Sequence, residues 1–156
     1  MPLEVGQEAP DFTLKDPANE DVTLSSFRGR KNVVLVFFPL AFSGVCTKQL
    51  TQINQHGDRY AEGDAQVLGV SVDSRYSQGA FARELGLTDA ILLADFEPKG
   101  EVSRAYGMYN AERGFSARGT FVIDKHGVVQ GVSLPDGPGE MPDEEEYFQT
   151  LAVCPV

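Results

Sequence analysis

The spacing of apolar positions changes along this chain, and the changes mark out its elements. Val33 to Phe38 is apolar without a break and rich in β-branched and aromatic residues, the pattern of a central strand covered on both faces. Pro39 has no N–H to give to a ladder, so the strand is expected to stop there. Beyond it Cys46, Leu50, Ile53, Gly57 and Tyr60 recur at steps of four and three. That spacing predicts a helix from about Gly44 to Tyr60 with these positions on one face. Val67 to Val72 and Ile91 to Ala94 read as further buried strands. Ser77 to Leu85 reads as a helix capped by Ser77 and stopped by Gly86, and Gly100 to Tyr106 as a helix closed by Gly107. Thr120 to Asp124 and Val128 to Ser133 form a hairpin through Lys125-His126-Gly127, and Asp143 to Val153 reads as a terminal helix. An earlier hairpin joins Phe12–Leu14 to Val22–Leu24 around Asp16-Pro17-Ala18-Asn19. Strands alternating with helices predict an α/β fold with a mixed sheet. No linker-like stretch interrupts it, so residues 1–156 are expected to form one domain.

Composition narrows the function. The chain has 156 residues, 42% hydrophobic and 23% charged, which suits a globular domain. A formal charge of −10 disfavours nucleic acid and anionic membrane surfaces as partners. The apolar run at Val33–Phe42 is broken by Pro39 and is far short of the roughly 20 residues of a membrane helix. Met1 to Gly6 lacks a signal peptide's basic and apolar regions, so a cytoplasmic location is expected. Asp136, Glu140, Asp143, Glu144, Glu145 and Glu146 crowd the last stretch without a Lys or Arg. They read either as an acidic docking surface or as acids in the first turn of a helix opened by Pro142, where they favour the macrodipole.

The two cysteines, Cys46 and Cys154, cannot build a disulfide framework. Cys46 falls in the first turn of the helix after the most buried strand, where free N–H groups and the positive end of the macrodipole stabilise a thiolate. Sites of open α/β sheets also gather at the carboxyl ends of strands. Cys46 is therefore a candidate nucleophile, although its place on the stripe with Leu50 and Ile53 equally suits a core cysteine. His56 and His126 form no ligand cluster and no glycine-rich phosphate loop is present, so no metal and no cofactor is expected.

The run Phe37-Phe38-Pro39-Leu40-Ala41-Phe42-Ser43-Gly44-Val45-Cys46 resembles the peroxiredoxin signature of a proline, three residues, threonine or serine, two residues and the peroxidatic cysteine. Arg118-Gly119-Thr120-Phe121-Val122-Ile123-Asp124 resembles that family's strand beginning with the active-site arginine. Val5–Leu14, Leu24–Gly29, Asp95 and Ser103–Gly107 are similar to the family as well, so the resemblance covers nearly the whole chain. Within that family the chain looks most like the bacterial alkyl hydroperoxide reductase E type, on the strength of the Phe37–Phe42 run and the short C-terminus.

The resemblance implies a thioredoxin-like fold, with a central mixed β-sheet flanked by helices and an N-terminal β-hairpin. It implies thiol peroxidase chemistry on hydrogen peroxide, organic hydroperoxides or peroxynitrite. The Cys46 thiolate would become a sulfenic acid and be recycled by an external thiol or redoxin, without metal, haem or flavin. Ser43 would position the peroxide, Pro39 would wall the pocket, and Arg118 would bring a permanent cation to the sulfur. Val153-Cys154-Pro155 resembles a resolving-cysteine motif, without the tail that normally follows it, and leaves Cys154 either a resolving thiol or a bystander. A homodimer is implied. Two positions depart from the family: Ser43, where threonine is usual, and Gln49, where glutamate is common. A neutral Gln49 either leaves more positive charge for the thiolate or loosens the arginine. The competing functions are a thioredoxin-like disulfide oxidoreductase and a non-catalytic interaction or chaperone domain. Ser43 stands where the first cysteine of a Cys-x-x-Cys would be, so a dithiol cycle within the motif is impossible.

Overall fold

In the computed structural model, which describes residues 1–135 and 140–155, a seven-stranded sheet carries the fold. Strands β1 (Thr13–Lys15) and β2 (Asp21–Thr23) make the N-terminal hairpin, and a 3₁₀ turn at Leu24–Phe27 leads to β3 (Asn32–Phe37). Then come α1 (Gly44–Gln55), α2 (Gly57–Glu62), β4 (Ala65–Ser71), α3 (Arg75–Leu85), β5 (Ile91–Ala94) and α4 (Glu101–Ala105). A small hairpin of β6 (Tyr109–Asn110) and β7 (Phe115–Ser116) precedes β8 (Gly119–Ile123), β9 (Val129–Ser133) and α5 (Glu144–Ala152). The sheet order is β2-β1-β5-β4-β3-β8-β9. β3, β4 and β5 run parallel, whereas β8 and β1 run antiparallel to their neighbours β3 and β5. This is the mixed sheet of a thioredoxin-like α/β fold.

The unbroken apolar run of β3 is explained by its two faces. Val33, Leu35 and Phe37 enter one core with Phe12, Leu24, Tyr106 and Phe121. Val34, Val36 and Phe38 enter the other with Leu50, Phe81, Tyr147 and Leu151, from α1, α3 and α5. Each such side chain contributes about 1.5–3 kcal/mol by leaving water, so both periods of the strand are under the same pressure to be apolar.

Three expectations need correction. The helix expected over Gly44–Tyr60 is broken at His56, whose backbone (φ −104°, ψ 23°) leaves helical geometry before α2 restarts at Gly57. Gly57 sits against Asp89, where a Cβ would come within 2.8 Å of the carboxylate. Asn54 is turned outward to bond Gly86 O and Thr88 N. Ser77 does not cap α3; Ser74 does, its hydroxyl accepting from the Ser77 N–H. α5 begins at Glu144 with Asp143 as its cap, so Pro142 precedes the cap instead of opening the helix. Gly86 ends α3 in the left-handed region at φ 64°, as its sequence position implied. Asp136 lies outside the described residues.

Candidate active site

Antiparallel pairing sets Phe37 at the end of β3 beside Gly119 at the start of β8. The residue after β3 and the residue before β8 therefore emerge at the same edge of the sheet. Pro39 follows β3 and opens a short loop into α1. Asp73, just past the end of β4, accepts from the Ala41 N–H at 2.8 Å and from Ser71 Oγ at 2.6 Å, clasping this loop to the sheet. Phe42 adopts φ +67°, a left-handed conformation unusual for an aromatic residue, and its ring packs 5.0 Å from that of Phe81. Asp73 was missed in the sequence; an acid just past a buried strand was the available signal.

Ser43 occupies the N-cap position of α1, yet its hydroxyl donates to the Leu40 carbonyl at 2.8 Å and no side chain caps the helix. The first-turn N–H groups keep their partial positive charge for whatever lies beside them. Cys46 lies in that turn and is fully buried, at 0% exposure. Arg118, itself only 9% exposed, donates from Nη1 to Cys46 Sγ at 3.3 Å and to Gln49 Oε1 at 2.8 Å. Gln49 is 3% exposed, one turn along α1 from Cys46. Among the described residues no carboxylate pairs with Arg118, and Arg118 Nε and Gln49 Nε2 lack a hydrogen-bond partner.

A cavity of about 540 Å³ opens beside this cluster. Pro39, Ser43, Gly44, Val45 and Arg118 line one part, and the β6–β7 hairpin supplies Phe115. Cys46 lies under that lining. The hairpin was also missed in the sequence. Its signals are Asn110, whose Oδ1 accepts from the Glu112 and Arg113 N–H groups, and Gly114 at φ 79°. A second cavity, about 350 Å³, is lined by Lys31, Asn54, Gly57 and Asp89 and holds none of these groups.

The structure thus brings together Pro39, Ser43, Cys46 and Arg118, and it does not bring Cys154 to them. Cys154 follows α5, where its thiol donates to the Thr150 carbonyl at 3.3 Å. Burial, with a smaller contribution from Asp124, pushes that thiol above its ordinary value. Leu151 packs on Gly63, whose carbonyl accepts from Asn32 Nδ2 at the start of β3. Cys46 lies past the opposite end of that strand, roughly 17–20 Å away along the rise of β3. A disulfide needs Cα atoms within about 7 Å. His56 also lies away from the cluster: its Nδ1 bonds Glu144 at 3.0 Å, and Tyr60 donates to the other Glu144 oxygen at 2.6 Å. Glu145 pairs with Arg59. These acids of the terminal stretch therefore build the start of α5. Among the described residues no three His, Cys, Asp or Glu side chains are placed to hold a metal, and no helix is long and apolar enough to cross a membrane.

Buried sulfur on a guanidinium, at an uncapped helix start beside a cavity, equips the site for attack by a thiolate on a small electrophile. Residues 5–132 match the AhpC/TSA family. The chain is 43% identical over 150 residues to alkyl hydroperoxide reductase E of Mycobacterium tuberculosis, covering 96% of this chain and 97% of that one. It is 36% identical to peroxiredoxin-2 of Mus musculus over 151 residues, 90% of this chain and 75% of the relative. Among solved structures, a reduced 2-Cys peroxiredoxin of Plasmodium vivax superposes with a TM-score of 0.86 at 28% identity, covering 97% of this chain and 81% of that one. Peroxidoxin BcpB of Mycobacterium tuberculosis superposes with a TM-score of 0.81 at 28% identity, over 96% and 95% of the two chains.

Proposed function

This chain belongs to the AhpC/TSA family and is a thiol-dependent peroxidase; from that premise we propose that Cys46 is its peroxidatic nucleophile, served by Arg118, Ser43 and Pro39. The observation that carries this reading is the 3.3 Å contact from the buried Arg118 guanidinium, with no carboxylate partner among the described residues, to Cys46 Sγ.

The Cys46 thiolate attacks one peroxide oxygen. A sulfur–oxygen bond forms as the oxygen–oxygen bond breaks; the leaving oxygen of a hydroperoxide takes a proton and departs as water or an alcohol, and that of peroxynitrite departs as nitrite. Arg118 serves twice, stabilising the thiolate and donating to the oxygen on which negative charge develops. Such charge-assisted donors act most strongly where water is excluded. The Ser43 hydroxyl rotates from the Leu40 carbonyl to hold the peroxide, since a hydroxyl both donates and accepts. Serine lacks the methyl that restricts the threonine rotamer, so this positioning is looser. Pro39 forms a wall with no N–H to compete for the substrate.

The sulfenic acid then condenses with a reductant thiol, releasing water and forming a mixed disulfide. A second reductant thiol frees Cys46, so the reductant supplies both electrons. We assign the reductant to an external thiol or redoxin, since Cys154 packs on the same core as Cys46 but near the opposite end of β3. Cys154 resolves Cys46 only if a partner subunit delivers it. Residues 1–156 act as one catalytic domain, as a homodimer in the cytoplasm, where hydrogen peroxide, organic hydroperoxides and peroxynitrite are the candidate substrates.

The test is peroxide decay with a thiol reductant present. Cys46→Ser is expected to reduce decay to the uncatalysed rate, and decay at the wild-type rate in that variant refutes the assignment.

A further inference from the structure

Helix α3 sends two side chains, one turn apart, toward the loop that carries Pro39, Ser43 and Cys46. Phe81 meets the ring of Phe42 at 5.0 Å. Gln78, fully buried on the same helix, reaches the loop through two intermediaries. Its Nε2 donates to the Leu93 carbonyl of β5 at 2.7 Å and to Ser71 Oγ at the end of β4 at 3.0 Å. A carbonyl can only accept, so the Leu93 bond fixes which way the Gln78 amide faces. Ser71 Oγ accepts the second Nε2 proton and turns its own proton to Asp73 Oδ2, 2.6 Å away. The same carboxylate oxygen accepts from the Ala41 N–H at 2.8 Å. Each donor along Gln78, Ser71 and Asp73 to Ala41 thus has a single assignment, and bonds in such a run polarise one another.

What the run holds is a strained corner. Phe42, directly after Ala41, has φ +67°. A residue with a Cβ keeps that conformation only where its surroundings over-determine it. Here the Ala41 bond fixes the chain before the corner, and Phe81 fixes the ring. Ser43 follows at φ −73° and ψ 152°, and α1 starts at Gly44, with Cys46 in its first turn. The direction of that turn is therefore set at Phe42.

We propose that Gln78, Ser71 and Asp73 form a positioning relay for the peroxidase reaction. They pin Ala41, keep Phe42 at its corner, and so aim the Cys46 thiolate at a peroxide beside Arg118 and Ser43. They act through the loop and not on the reacting atoms. The proposal rests on Cys46 being the nucleophile. It accounts for an amide and a hydroxyl at buried places on α3 and β4 where apolar side chains would cost less.

The experiment is the rate of Cys46 oxidation by hydrogen peroxide in the full chain, at a pH where the thiolate is fully formed, so that ionisation of the thiol does not enter. Circular dichroism checks that each variant is folded. Asp73→Ala is expected to lower the rate about tenfold to a hundredfold, the scale of a misplacement near 1 Å. Asp73→Asn keeps an oxygen that accepts from both Ser71 and Ala41, and its rate is expected to stay within about threefold of wild type. Gln78→Met preserves side-chain size but removes the first donor, for an expected fall of about threefold to tenfold. The double variant Asp73→Ala with Gln78→Met is expected to be no slower than Asp73→Ala, because both act on one relay. A folded Asp73→Ala protein oxidised at the wild-type rate overturns the proposal. So does Asp73→Asn as slow as Asp73→Ala, which would make the charge and not the hydrogen bonds responsible, or a double variant in which the two losses multiply. Should Asp73→Ala fail to fold, Gln78→Met decides, and a wild-type rate there overturns the relay. Absence of Cys46 oxidation in the unsubstituted chain is the distinct result that removes the premise, and the proposal with it.

Discussion

Arg118 and Glu144 are both buried ionisable side chains, 9% and 7% exposed, and each ties a helix to the rest of the molecule. They are satisfied very differently. Glu144, at the start of α5, has both oxygens engaged, one by His56 Nδ1 at the α1–α2 break and one by Tyr60 Oη. Burial, then the hydrogen bond to Glu144, pushes the Tyr60 phenol far above its ordinary value, so it stays a donor across the physiological range. Arg59 adds a two-nitrogen contact to Glu145 and stacks 3.9 Å from the centre of the Phe148 ring. Arg118 has a thiol and a neutral amide, with Nε unmet. A network whose members are paired rigidifies and stabilises, whereas a buried cation short of a counter-charge costs stability unless something charged arrives. The first pattern belongs to holding α5 on the fold, and the second to chemistry at sulfur.

Substitutions at the two residues separate these roles. Arg118→Ala is expected to show the largest effect: a fall of about 10²–10³-fold in the rate of Cys46 oxidation, the usual cost of one donor aimed at developing negative charge. Stopped-flow kinetics with hydrogen peroxide checks it, and a rate within severalfold of wild type would end the distinction between the residues. Glu144→Ala is expected to do the reverse. It leaves the Tyr60 hydroxyl buried without an acceptor, at a cost of about 2 kcal/mol, seen as a fall in Tm of about 4–8 °C for a chain of this size. Its peroxide rate should stay within about twofold of wild type, because well-separated sites act independently. The smallest effect is expected from Cys154→Ser, which should change turnover with an external thiol by less than about twofold. Because burial raises the Cys154 thiol, its thiolate fraction at neutral pH is below that of an ordinary cysteine. Iodoacetamide should therefore label Cys154 slowly and faster as pH rises; mass spectrometry of the labelled chain reads this out, and rapid labelling at neutral pH would place that thiol in open solvent.

Much of this was legible in local pattern. The unbroken apolar run of β3 announced a strand covered on both faces, and Pro39 its end. The four-and-three spacing that begins at Cys46 put a thiol in the first turn of a helix, and Gly86 marked where α3 stops. These features depend on residues within a turn or two of one another, where side-chain period and backbone preference act directly. The His56 break was hidden because Gly57 and Tyr60 continue the helical spacing; the close approach of Asp89 and the pull of Glu144 come from far along the chain. By sequence Ser77 reads as the cap of α3, and the extended backbone at Ser74, with its hydroxyl accepting from the Ser77 N–H, gives that place to Ser74.

The sequence by itself determined which faces must be buried, where the reactive thiol begins its helix, and the family's chemistry through two separate motifs. The resemblance paired Arg118 with Cys46, and the tertiary structure decided how the arginine reaches that thiol across 72 positions, through the antiparallel register of Phe37 with Gly119. It also decided that Gln49 is buried against that arginine, and that Cys154 ends near the opposite end of β3 on the same face of the sheet. The physical reason is that periodicity states which side of an element leaves water, while strand direction and register, settled by the whole core at once, state what meets it there.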